Sequence, residues 1–140
     1  MRQEAGQTMQ IHQSAEDYLE TILMLNQRMG RVRSIDVVNE LGFTKASVSI
    51  AMKKLRENGY IAVDGEGNLT LLEPGLEIAQ RIYSRHQLLT HFFVQLGVDE
   101  QTAAEDACKA EHILSEQTLE KIREYALLHD AQDSVKPQVE

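Results

Sequence analysis

The tripeptide Gly42-Phe43-Thr44 separates two short amphipathic stretches, and that spacing leaves this chain few folds. Before it, Ser34 caps a helical pattern through Ile35, Val37, Val38 and Leu41. After it, Thr44 caps another through Val48, Ile50, Met52 and Leu55 to Gly59. Two helices joined by a tight turn that opens on glycine have helix-turn-helix spacing. At Gly59 the apolar period changes from that of a helix to that of a strand. Tyr60, Ile61 and Val63 form one short strand, Asp64-Gly65-Glu66-Gly67-Asn68 a turn, and Leu69 to Leu72 the returning strand. A hairpin directly behind the second helix predicts the wing of a winged helix.

The flanks read as helices. Ser14 is an N-cap candidate, and Tyr18, Leu19, Ile22, Leu23 and Leu25 form a stripe that ends at Gly30. Pro74 opens a long helix at a permitted first-turn position, with Leu76, Ile78, Ala79, Ile82, Leu88, Leu89, Phe92 and Phe93 leading to Gly97. Asp99 or Gln101 begins another through Ala103, Ala107, Ala110 and Leu114. Ser115 starts a last one with Leu119, Ile122, Tyr125 and Leu128. The expected fold is mainly α: a winged helix-turn-helix with a two-stranded wing over residues 14–73, then a helical region over 74–128. Residues 1–13 lack a period and are expected to be a flexible arm. Residues 129–140 are polar, contain Pro137 and are expected to be a disordered tail. No internal repeat is present. The N-terminus offers no apolar run for a signal peptide or membrane helix, and the single cysteine excludes an internal disulfide. A cytoplasmic protein with no membrane partner is the expectation.

A net charge of −8 argues against nucleic acid until its distribution is considered. Residues 28–56 hold seven bases (Arg28, Arg31, Arg33, Lys45, Lys53, Lys54, Arg56) and two acids (Asp36, Glu40), a net +5 that leaves −13 for the remainder. Such segregation suggests a face for double-stranded DNA. A recognition helix offers small polar side chains to base edges and basic ones to phosphates. Thr44, Lys45, Ser47 and Ser49 stand on its first turns, Lys53 and Lys54 on later ones, and Arg33 precedes the pair. The competing readings are a solvated basic face and an ordinary three-helix core. Asp64 and Glu66 at the wing tip would repel phosphates, which weakens the wing as a contact.

A second constellation carries metal-ligand chemistry. Cys108, Glu111 and His112 form Cys-x-x-Glu-His, positions i, i+3 and i+4, which would share one face of a helix. Asp17 and Glu20 are i, i+3 on the first helix, and His86 lies on the long helix. Carboxylate, imidazole and thiolate together suit divalent Mn, Fe, Co, Ni or Zn. Taken singly, each residue has a plainer reading: a solvent-facing acid, a surface histidine or, for Cys108, a small buried hydrophobe. His12, His91 and His129 fit no spacing with the rest and are read as surface groups.

Four segments resemble the diphtheria toxin repressor family of metal-dependent transcriptional regulators. They are Ser14-Ala15-Glu16-Asp17-Tyr18-Leu19-Glu20-Thr21-Ile22, Arg85-His86-Gln87-Leu88-Leu89, Gly97-Val98-Asp99-Glu100, and the run from Glu105 through Cys108, Glu111 and His112 to Ser115. They occur in the family's order, with the helix-turn-helix and wing between them, and span about residues 14–128. The resemblance implies a metal-activated repressor of metal uptake and a homodimer with a helical metal-binding and dimerisation region. It implies the short manganese branch, without the additional C-terminal domain of the iron branch. Asp17 and Glu20 match that branch's carboxylates, and His86, Glu111 and His112 match ligands found in the family. Cys108 departs, since the manganese branch has a glutamate there and the iron branch a cysteine. The iron branch in turn has a methionine at the position of Asp17. Its ancillary site uses positions that correspond to Ala104 and Thr90, neither of them a ligand.

Mostly hard donors favour Mn(II) or Fe(II), while the thiolate shifts preference toward Co(II) and Zn(II), which are expected to bind in vitro. One metal is expected per subunit; a second, with Cys108 as its softer ligand, stays open. Two competing functions remain. One is a winged-helix regulator responding to a small organic ligand. The other is a metal-dependent hydrolase, for which the sequence offers no oxyanion-donor loop. The chain is therefore read as a regulator and not as an enzyme.

Overall fold

The computed structural model describes residues 2–135, and side chains from 13 to 132. Its elements are α1 (Arg2–Met29), α2 (Ser34–Leu41), α3 (Lys45–Glu57), β1 (Ile61–Val63), β2 (Leu69–Leu71), α4 (Glu73–Gln95), α5 (Glu100–Ala110) and α6 (Glu116–Val135). The chain divides into two compact units, Met1–Arg81 and Ile82–Glu140, and the division falls inside α4.

The first unit is the expected winged helix. Its core gathers the α1 stripe (Leu19, Ile22, Leu25), Val37 of α2, Val48, Met52 and Leu55 of α3, and Ile61 and Leu69 of the wing, all buried. Thr44 caps α3, its Oγ1 accepting from the Ser47 N–H at 3.1 Å. The helix ends where Gly59 takes φ 80° and the Tyr60 N–H donates to the Leu55 carbonyl at 2.9 Å. This is a Schellman-type stop that side chains with a Cβ resist, and it turns the chain straight into β1. β1 and β2 pair antiparallel, Ile61 opposite Leu71 and Val63 opposite Leu69. The segment before α2 joins this edge through the Leu69 N–H to the Val32 carbonyl at 2.7 Å and a bridge between Arg33 and Asn68. The start of α4 lies tight against β1: a Cβ on Gly75 would sit 2.2 Å from the Tyr60 carbonyl oxygen.

The second unit packs α4, α5 and α6 around Leu89, Ala107 and Leu119, with Leu88, Phe93, Ala110, Leu114 and Ile122 against them. Asp99 caps α5 by accepting from the Thr102 N–H at 3.0 Å, and Ser115 caps α6 by accepting from the Thr118 N–H at 3.2 Å.

Three boundaries differ from those read in the sequence. α1 begins at Arg2, so residues 2–13, expected as an arm, are helical and Ser14 lies inside a helix. The polar residues there lack an apolar period, but nothing in them breaks a helix except Gly6. Ser34 is the first residue of α2; Arg33 takes the cap position, its N–H donating to Asp36 at 2.8 Å. α6 continues past His129 to Val135, so the expected tail is helical that far; Pro137 lies outside the described residues.

Candidate metal centre and nucleic-acid interface

In the second unit Glu111 is the focus. It is fully buried, and its two carboxylate oxygens face different imidazoles. His86 Nδ1 lies 3.0 Å from Oε2 and His112 Nε2 lies 3.5 Å from Oε1. Cys108 is exposed on α5, its Sγ within 4.8 Å of a Glu111 carboxylate oxygen. The plain reading of Cys108 as a buried hydrophobe is thereby overturned. A buried carboxylate is costly without charge compensation. Two imidazoles and a thiol around it form a mixed N, S and O donor set of the kind that suits a divalent transition metal.

The Cys-x-x-Glu-His motif does not lie on one unbroken helix. α5 ends at Ala110, and Glu111 keeps helical angles (φ −60°, ψ −23°) as its C-cap, its N–H donating to Ala107. The next turn tightens, with the Ile113 N–H donating to the Ala110 carbonyl at 3.1 Å. Cys108 and Glu111 therefore keep their i, i+3 relation, while His112 sits in the turn beyond. Arg85, to which the sequence reading assigned no role, holds this turn: its guanidinium donates to the Glu111 carbonyl at 3.2 Å and pairs with Glu116. Its signals in the sequence were its adjacency to His86 and its place in the family-like segment Arg85–Leu89.

In the first unit Asp17 and Glu20 stand three residues apart on one face of α1, Asp17 half-buried and Glu20 buried. Burial pushes the neighbouring Tyr18 phenol upward in pKa, and the Asp17 charge adds to the shift. His91, read as a surface group, is half-exposed and bonded to Asp130 at 2.9 Å; His129 lies against Tyr125, ring centroids 4.4 Å apart. The His12 side chain lies outside those described.

The basic segment sorts into two groups. Arg28 pairs with Glu40 at 3.2 Å and Arg31 approaches Glu66 at 3.9 Å. Arg33 donates to the Glu66 carbonyl and braces the wing tip. Lys45, Lys53 and Lys54 are exposed on α3 and carry no ion pair among the described residues, so the unengaged positive charge is concentrated on the second helix of the pair. Thr44, Ser47 and Ser49 are exposed on its first turns, though Thr44 Oγ1 also donates to Ser47 Oγ at 2.9 Å. At the wing tip Asp64 accepts from the Asn68 N–H (2.9 Å), the Asn68 side chain (3.0 Å) and the Glu66 N–H (2.8 Å), bonds that lower its pKa, Asn68's backbone bond most.

A winged helix with a basic second helix, followed along the chain by a helical unit that gathers thiol, imidazole and carboxylate, defines the class of metal-responsive DNA-binding regulators. Residues 10–69 match the iron dependent repressor N-terminal DNA binding domain, and residues 72–130 match the iron dependent repressor metal binding and dimerisation domain. The chain belongs to this family of metal-dependent transcriptional repressors. An HTH-type transcriptional regulator of Methanocaldococcus jannaschii is 37% identical over 113 residues, 79% of this chain and 90% of that protein. The regulator MntR of Bacillus subtilis is 32% identical over 123 residues, 88% of this chain and 87% of its own length. A manganese-dependent transcriptional repressor solved in complex with manganese superposes with a TM-score of 0.73 at 26% identity, over 80% of this chain. This chain spans 52% of that structure's length. No helix among the described residues is long and apolar enough to cross a membrane.

Proposed function

We propose that the chain is a cytoplasmic, Mn(II)- or Fe(II)-activated repressor of metal uptake that binds double-stranded operator DNA as a homodimer. The observation that carries this reading is the buried Glu111 carboxylate with His86 and His112 on either oxygen and Cys108 beside it. The proposed ligand set is Asp17, Glu20, His86, Cys108, Glu111 and His112. A bound divalent cation would supply the charge that lets several carboxylates share one small volume. Arg85 holds the turn that presents Glu111 and His112. On the DNA side, Lys45, Lys53 and Lys54 are assigned to phosphates, and Thr44, Ser47 and Ser49 to base edges or adjoining backbone. Arg33 acts mainly by holding the wing against the helix pair. Linkage then makes metal strengthen DNA binding by the factor by which DNA strengthens metal binding.

The dimer reading is supported by large apolar side chains left exposed in the helical unit: Leu96, Ile113, Tyr125, Leu127 and Leu128. The metal preference follows from the donors. Five are hard or borderline and only Cys108 is soft, so Mn(II) and Fe(II) are favoured, with Co(II) and Zn(II) binding in vitro. Gel shifts with operator DNA in chelated buffer, with and without added Mn(II) or Fe(II), test the whole reading. Retardation only with metal is expected; equal affinity in both buffers would remove the switch.

A further inference from the structure

We propose that a cavity of about 650 Å³ in the winged-helix unit is a second effector site, built for a small organic monocarboxylate with an apolar body. The cavity is lined mainly by apolar side chains, among them Tyr18, Ile50, Leu55, Tyr60 and Ile78, and its size lies in the range of sites for small organic ligands, roughly 300–1,000 Å³. α3 presents one continuous face to it, Ser47, Ile50, Ala51 and Lys54 spaced i, i+3, i+4 and i+7, and its C-cap Asn58 also lines the cavity. Lys45, Ser49 and Lys53 lie on a different face of the same helix, and none of them lines the cavity. Ile50 is 58% exposed, a large apolar side chain on a helix otherwise rich in polar surface residues, and the cavity accounts for that position.

Two cations and one anion stand among the lining residues. Arg81 pairs with Glu16 at 3.3 Å. Lys54 carries no ion pair among the described residues, so the rim has one uncompensated positive charge. An apolar chamber with a single available ammonium matches an organic acid with one carboxylate. Phosphate-like or polyanionic ligands would leave the apolar wall unfilled. The site lies wholly within the DNA-binding unit and uses none of the proposed metal ligands. Its occupant would contact Ser47 and Lys54, so occupancy would oppose operator binding; that consequence rests on the DNA face proposed above.

The probe is 4-phenylbutyrate, titrated into the full chain in chelated buffer by calorimetry and by amide NMR, with 4-phenylbutanol as the uncharged control. One saturable site per chain is expected, with amide shifts centred on Tyr18, Ala51, Tyr60 and Ile78. The alcohol and the Lys54→Gln variant should bind about tenfold or more weakly, the effect of losing a charge-assisted contact. Ala15→Phe and Ile78→Phe, two independent ways of filling the chamber, should each abolish binding. Absence of saturable binding to the unaltered protein, shifts centred elsewhere, or equal affinity for acid and alcohol would overturn the site. Saturable binding with the expected shifts in a protein that gives no metal-dependent gel shift would uphold the site and count against the DNA reading instead.

Discussion

At the residue scale the molecule turns on Glu111 and Cys108, which lie close together and have opposite exposure. Glu111 is fully buried between two imidazoles, where its charge needs a cationic partner. Glu111→Gln keeps the shape and removes the charge. It is expected to lower Mn(II) affinity by about a hundredfold or more, since even changes outside the ligand set cost about 10–100-fold; calorimetry on the chelated protein measures this. Retained affinity would take Glu111 out of the ligand set. Cys108 is exposed beside it and is the sole soft donor, so it should tune metal choice without carrying the site. The Co(II)-loaded protein should show a thiolate-to-metal charge-transfer band that Cys108→Glu lacks, and the variant should bind Mn(II) at higher stoichiometry and Zn(II) more weakly. If the parent shows no such band, Cys108 does not touch the metal.

The elements show where backbone geometry sets limits. Gly75, at the start of α4, has its Cα hydrogen where a methyl group would meet the Tyr60 carbonyl at 2.2 Å, and that carbonyl already accepts the Leu72 N–H at 3.0 Å. Backbone cannot swing aside as a side chain can. Gly75→Ala is expected to destabilise the winged-helix unit by roughly 1–3 kcal/mol, the range for overpacking, read as a lower denaturation midpoint. An unchanged midpoint would mean α4 and β1 separate freely. The wing has a pH limit of its own. Asp64 accepts three hydrogen bonds within the turn, and its pKa is lowered below the ordinary carboxylate value. A depressed folded pKa means that the stabilisation is fully present above the unfolded value and is lost as pH falls through the folded one. Hydrogen exchange at Gly67 and Asn68 should therefore accelerate, beyond its intrinsic pH dependence, as the solution is acidified below the carboxylate range. In Asp64→Ala the fast exchange should already be present at neutral pH. A wing equally protected in both proteins would show that the Asp64 bonds do not hold it.

At the scale of the whole molecule, charge and apolar surface are both unevenly placed. The positive segment is set in a chain of net −8, so operator binding should weaken steeply with salt, by about one unit of slope for each phosphate neutralised. Lys45→Ala or Lys53→Ala should each reduce that slope by about one, while Arg28→Ala should change it less, because Arg28 is already paired with Glu40. Equal slopes for all three variants would refute this division of the bases. Leu127 and Leu128 are exposed by 62% and 63%, more than an isolated helical unit needs to leave uncovered. Replacing both by Glu should convert a dimer to a monomer by sedimentation and abolish high-affinity operator binding. A dimer that persists would place the interface elsewhere on the unit.

Much of this protein was set by local chemistry that the sequence displays directly. Thr44 caps the helix it was expected to cap, Asp99 is the one of the two expected starts that caps α5, the turn from Asp64 to Asn68 closes the expected hairpin, and the apolar stripes read in α1 and α3 are buried apart from Ile50. Period and capping are local, and a single pass along the chain reveals them. The start of α1 and the end of α6 were not legible, because a polar stretch without a breaker is compatible with helix or coil. Pairings across distance belonged to the tertiary structure alone. Spacing put Cys108 and Glu111 on one face, but only packing of α4 against the end of α5 brings His86, 25 residues earlier, to the Glu111 carboxylate. Only packing turns Arg33 into a brace for the wing and leaves Ile50 beside a cavity. Periodicity states which residues share a face; which faces meet is decided by the summed burial of the core, and no local pattern encodes that.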